Sequence, residues 1–113
     1  MLKKTEYTDK ELLTLLANGE ESAIDIIFRQ YYSFLCRSVH RIIPDTQITE
    51  DLAQDVFYGL WKKRDSLKIT TSLSAYLKRA ALNKSLNYIR DQKIDFRNDE
   101  VIRNQVQPHK LSR

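Results

Sequence analysis

The chain has 113 residues, 42% hydrophobic and 30% charged, with 19 Lys and Arg against 15 Asp and Glu, two Gly, two Pro and a single Cys. A chain of this length forms one domain that buries roughly 60 to 65 per cent of its unfolded surface, so no metal or disulfide is needed to hold it, and one cysteine excludes a disulfide framework. No apolar run approaches the length of about 20 residues that crosses a bilayer, and MLKKTEYTDK lacks the apolar stretch of a signal peptide, so the reading is a soluble cytoplasmic protein with no membrane partner.

Thr8 is placed to cap a first helix, with Glu11 three residues on reaching back in a capping box. Leu12, Leu13, Leu15 and Leu16 supply its apolar stripe, and Asn18 with Gly19 ends it. A second helix is expected from about Glu21 to Ile43, because Ile24, Ile27, Phe28, Tyr31, Leu35, Val39 and Ile42 recur every three or four residues, and Pro44 stops it. Cys36 shares helical spacing with Tyr32, Leu35 and Val39 and reads as a small buried apolar residue; His40, in the same helix, reads as structural. A third helix should begin between Asp45 and Thr49 and end near Arg64. Asp65 to Thr71 reads as a loop, and a fourth helix should run from Ser72 to about Gln92. From Lys93 to Arg113 apolar residues thin out, which predicts a short extra turn of helix and then a mobile polar end. The expected architecture is all-α: a compact bundle of about four helices in residues 1–92, with 93–113 as a tail.

Charge divides the chain at Trp61. Residues 1–61 carry 6 Lys and Arg against 10 Asp and Glu, and residues 62–113 carry 13 against 5. Between Lys62 and Arg90 eight basic residues face one acid, Asp65. A basic stripe attracts polyanions and an acidic half repels them, so a nucleic acid should approach from one side only. On a helical wheel Ile48, Leu52, Ala53, Val56, Phe57 and Leu60 of the third helix share an inward arc, while Asp51, Gln54, Asp55 and Tyr58 share the opposite arc, with Glu50 at its edge. Acceptors on one face suit a basic partner helix, because Arg binds carboxylates bidentately; the plainer reading is an ordinary solvated surface.

The fourth helix is apolar on two sides. Leu73, Leu77, Ala80, Ala81 and Tyr88 lie on one arc and Ala75, Leu82, Leu86 and Ile89 nearly opposite, which predicts a central helix packed between neighbours. A narrow strip between them carries Arg79, Asn83, Asn87 and Arg90, with Tyr76 beside its N-terminal end. Arg holds phosphates, Asn offers a donor and an acceptor to a base edge, and Tyr offers a stacking face. The strip continues the charge of Lys62, Lys63, Arg64 and Lys68; on the alternative reading the Asn residues satisfy buried polar neighbours. Catalysis would have to rest on Glu50, Asp51 and Asp55. Neither His40 nor His109 has a ligand-like neighbour and no Gly-rich phosphate loop exists, so no enzyme activity, cofactor or metal is expected.

The runs DKELLTLLANGEESAIDIIFRQYY, TEDLAQDVFYGLWKKRDSL and SLSAYLKRAALNKSLNYIR, spanning roughly residues 9 to 92, resemble region two of bacterial RNA polymerase sigma factors of the extracytoplasmic-function class. EDLAQDVF followed by LW is the most specific piece, and A-L-N followed by L-N-Y-I-R the second. The resemblance implies that the third helix docks on the clamp helices, a coiled coil of the largest subunit of core RNA polymerase, through Asp51, Gln54 and Asp55; Tyr58 and Glu50 join them on geometry. It also implies that the chain reads the minus-ten promoter element as an unpaired non-template strand. Lys62 to Ser72 would line a pocket for an extruded base, and Arg79, Asn83, Asn87 and Arg90 would contact strand and duplex backbone. Relatives of this class are often held inactive by an anti-sigma protein, which would mask the clamp-facing surface, and the isolated domain is expected to be a monomer.

The sequence departs from the family at three points. No aromatic residue lies between Lys62 and Ala75, which suits a class that melts promoters less readily. Asp91, Gln92 and Lys93 follow Arg90 where many relatives carry more Arg, so upstream duplex contacts should be weaker. Nothing after Gln92 could form region four, so the chain is expected to be a piece of a longer protein rather than a natural partial relative. The competing reading is a helical adaptor or sigma-like regulator that binds polymerase or an anti-sigma protein without binding DNA.

Overall fold

A computed structural model describes the backbone of residues 6–105 and the side chains of residues 6–93. Four helices follow in order, α1 (Asp9–Ala17), α2 (Glu21–His40), α3 (Thr46–Lys62) and α4 (Leu73–Gln105). The capping box forms as expected: Glu11 N–H donates to Thr8 Oγ1 at 3.0 Å and Thr8 N–H donates to Glu11 Oε1 at 2.9 Å. At the other end Gly19 takes φ +80°, while Gly19 N–H donates to Leu16 O at 2.9 Å and Glu20 N–H to Leu15 O at 3.1 Å. These two bonds satisfy the last carbonyls of α1, and the positive φ is open to glycine at little cost. Gly19→Ala is expected to lower stability by about 1–2 kcal/mol, because a Cβ there would meet no neighbour and only the left-handed backbone is penalised. A urea melt of the two proteins measures it.

α2 ends three residues before the expected Ile43. Ile43 precedes Pro44, whose ring disfavours helical backbone at the preceding residue, and the chain tightens into a turn with Ile42 N–H and Ile43 N–H both donating to Val39 O. The Ile43 carbonyl accepts from Asp45 N–H at 2.8 Å and also from Thr49 Oγ1 at 3.2 Å, which gives the buried Thr49 hydroxyl a partner. Asp45 caps α3 by accepting from Ile48 N–H at 3.0 Å.

The core joins Leu12 and Leu16 of α1, Ala23, Ile27, Leu35 and Val39 of α2, Ala53, Val56, Phe57 and Leu60 of α3, and Leu73, Leu77 and Ala81 of α4. The central element is α2, which packs against all three other helices, and not α4, which packs against α2 and α3 along one face. The second apolar arc expected to be covered is largely open: Ala75 is exposed, Leu82 is 42% exposed and Leu86 51%, and only Ile89 is half-buried. With α1 only nine residues long, no further helix among the described residues covers it. α4 also continues past Gln92 to Gln105, for 33 residues in all. Sparse apolar residues do not stop a helix, and no Gly or Pro occurs between Gly59 and Pro108. The expected mobile end beyond Gln105 lies outside the described residues.

Candidate protein and nucleic-acid interfaces

The outward face of α3 carries the residues expected there. Asp51, Gln54, Asp55 and Tyr58 are exposed, the last at 62%, and Glu50 is half-buried at the edge. Gln47 Nε2 donates to Asp51 Oδ1 at 3.1 Å, one turn earlier on the same face. The acidic face therefore keeps most of its acceptors turned to solvent, where a cationic side chain from another molecule can reach them.

α2 adds an aromatic border that the sequence reading assigned to the interior. Phe28 is 36% exposed, stacked on Tyr32 with ring centroids 4.7 Å apart and tilted against Phe57 at 5.0 Å. Burial pushes the Tyr32 phenol above its usual range, a hydrogen bond with Cys36 adds to this, and a hydrogen bond with Gln54 pulls the other way. Cys36 is half-buried and not enclosed as expected, because it lines an open cleft with His40 at the end of α2 and Glu50 of α3. The signal available in the sequence was the Phe28–Tyr32 spacing of one helical turn, which places both rings on one flank.

Beyond Trp61 the basic residues separate into free and occupied groups. Lys63 is exposed at the end of α3, and Lys62 Nζ sits 5.2 Å from the centroid of the Tyr58 ring, so the acidic and basic surfaces meet at this pair. Arg64 turns back: its guanidinium lies 4.0 Å over the Trp61 ring and Nη1 donates to Trp61 O at 2.8 Å, while Nε is buried without a partner. This geometry caps α3 and removes Arg64 from the freely reaching cations. In the connection Leu67 and Ile69 are half-buried against the core, so the alternate residues Lys68 and Thr70 face solvent.

α4 presents Arg79, Asn83, Asn87 and Arg90 on one exposed face, away from the side that carries Leu73, Leu77 and Ala81. The Asn residues do not serve buried neighbours. Tyr76, at the N-terminal end of this face, is half-buried against the core. Arg90 pairs with Asp91 at 3.5 Å, both side chains being well exposed, which lowers the local positive charge at this end of the strip. Leu82 and Leu86 flank the strip.

Among the described residues no group of three or more His, Cys, Asp and Glu is arranged to hold a metal, and no helix is long and apolar enough to cross a membrane. The fold and these two faces define a helical domain of the kind that binds macromolecules. The sequence pattern of Sigma-70 region 2 matches residues 27–94, and the chain belongs to that family. It is similar to the ECF RNA polymerase sigma factor SigW of Bacillus subtilis, 27% identical over 91 residues that cover 80% of this chain and 49% of the relative. The ECF RNA polymerase sigma-E factor of Escherichia coli is 24% identical over 84 residues, covering 74% of this chain and 44% of the relative. An NMR structure of an engineered region 2 of sigmaE in complex with GTAAAA superposes with a TM-score of 0.70 at 25% identity, covering 80% of this chain and 95% of that one. The chain spans just under half the length of the curated relatives it matches.

Proposed function

We propose that the chain acts in transcription initiation, docking on the clamp helices of core RNA polymerase through α3 and holding the unpaired non-template strand of a minus-ten element with the 62–72 connection and α4. The observation that carries this reading is the exposure of Arg79, Asn83, Asn87 and Arg90 on one face of α4, in a chain that belongs to the sigma-70 region 2 family. The likeness to a region 2 solved with GTAAAA supports a single-stranded DNA ligand. Lys62, Lys63 and Lys68 extend the basic surface toward the connection and Tyr76 borders it at the start of α4, while Arg64 contributes through the fold rather than by direct contact.

The work is binding, with no bond made or broken. Unpairing a duplex costs roughly 1.4 kcal/mol per stacked step, and each base captured by stacking or edge contacts offsets about 1–3 kcal/mol. Opening therefore needs several contacts acting together on a suitable sequence, with the polymerase supplying the remaining grip. Asn83→Ala is expected to weaken strand binding by roughly five- to tenfold, the loss of one base-edge or backbone contact of about 1 kcal/mol or slightly more. Docking on core polymerase should be unchanged. Fluorescence anisotropy on a labelled strand and a polymerase pull-down measure the two, and equal loss in both would refute the division between α3 and α4.

A further inference from the structure

One contact joins the beginning of the chain to the proposed strand-reading surface. Asp9 Oδ2 accepts from Leu73 N–H at 2.7 Å, across 64 residues of sequence. Leu73 opens α4, so its N–H is one of the donors that a helix start leaves unpaired. Ser72 Oγ takes the Ala75 N–H at 3.1 Å and Ser72 O the Tyr76 N–H at 3.0 Å, while Asp9 takes the Leu73 N–H, which Ser72 does not reach. The same carboxylate lies beside the Tyr31 phenol of α2; burial first, and then the Asp9 charge, pushes that phenol above its usual range. Asp9 thus ties α1, α2 and α4 together where the connection ends, beside an open cleft of about 570 Å³ lined by Thr14, Ile69, Thr71 and Ser72.

We infer that Asp9 is a positioning residue for strand recognition, fixing the end of the 63–72 connection and the direction of α4 although it touches no DNA itself. This rests on the strand-binding function proposed above, and it places a determinant of that function outside residues 27–94, which the family pattern matches. Charge alone argues the opposite way. A carboxylate beside a polyanion site repels the strand, so its removal should tighten binding if Asp9 acts only through its charge.

The test compares Asp9→Ala with Asp9→Asn, which keeps an oxygen for Leu73 N–H but loses the charge. Each variant and the parent chain are measured for binding of a labelled GTAAAA strand, for core-polymerase capture, and for amide exchange at Leu73. Asp9→Ala is expected to weaken strand binding and speed Leu73 exchange by about tenfold each, the effect of deleting a charge-assisted cap, with polymerase capture unchanged. Asp9→Asn should stay within about threefold of the parent in all three, because a neutral oxygen still caps. Unchanged or tighter strand binding by Asp9→Ala, or an equal loss of polymerase capture, overturns the inference. A parent chain that binds no strand, whether GTAAAA or a randomised single-stranded pool, overturns the strand-binding function and the positioning role together.

Discussion

Replacing Asp51 and Gln54 together by Lys is expected to abolish capture of core RNA polymerase while leaving the fold intact. Both side chains are exposed on α3, and the bond from Gln47 to Asp51 is itself solvent-exposed, so the cost to stability should stay within about 0.5 kcal/mol. The effect on docking is far larger. Where an Arg or Lys of the partner meets a carboxylate, the variant presents a like charge, and such juxtapositions cost several kcal/mol each, enough for a loss of affinity of about a hundredfold or more. A pull-down of core polymerase, with circular dichroism to verify the helices, measures both. Capture at parental levels would remove α3 from the docking surface.

The second large effect separates two leucines that look equivalent in the sequence. Leu77 and Leu86 sit on opposite apolar arcs of α4, yet Leu77 is fully buried and Leu86 is 51% exposed. Leu77→Ala should destabilise the domain by about 2–5 kcal/mol through lost burial and a residual cavity. For a domain of this size that lowers the melting temperature by more than about 10 °C. Leu86→Ala should change stability by less than about 1 kcal/mol, since half of its surface never leaves water. Paired thermal melts decide the matter, and comparable losses would mean that α4 is sandwiched after all.

This contrast marks where the sequence was legible and where it was not. Local rules act over three or four residues, so the Thr8–Glu11 box, the Gly19 stop and the two faces of α3 could all be read from spacing. Which arc of α4 is covered depends on how many helices surround it, and that is fixed by α2 taking the central place. Arg64 was counted with the free cations because charge runs read as surface, whereas the Trp61 ring one turn earlier offers a better site for the guanidinium. The Asp9 bond to Leu73 is invisible to any periodic pattern, since it joins two helix starts that only the finished bundle brings together. The candidate site was legible in its outline because charged and amide residues reveal their face by spacing. It was not legible in its borders, where Phe28, Tyr32 and Asp9 act through neighbours on other helices.

The most direct test of a bundle that offers one face to a protein and another to DNA is the affinity for single-stranded DNA as a function of salt. A strand held by about four phosphate contacts loses affinity on a log-log plot with a slope near −3. The account predicts that slope for the parent chain, with polymerase capture retained in the same preparation. A slope near zero, or no strand binding at any salt concentration, would contradict it and leave a helical adaptor that meets protein partners alone.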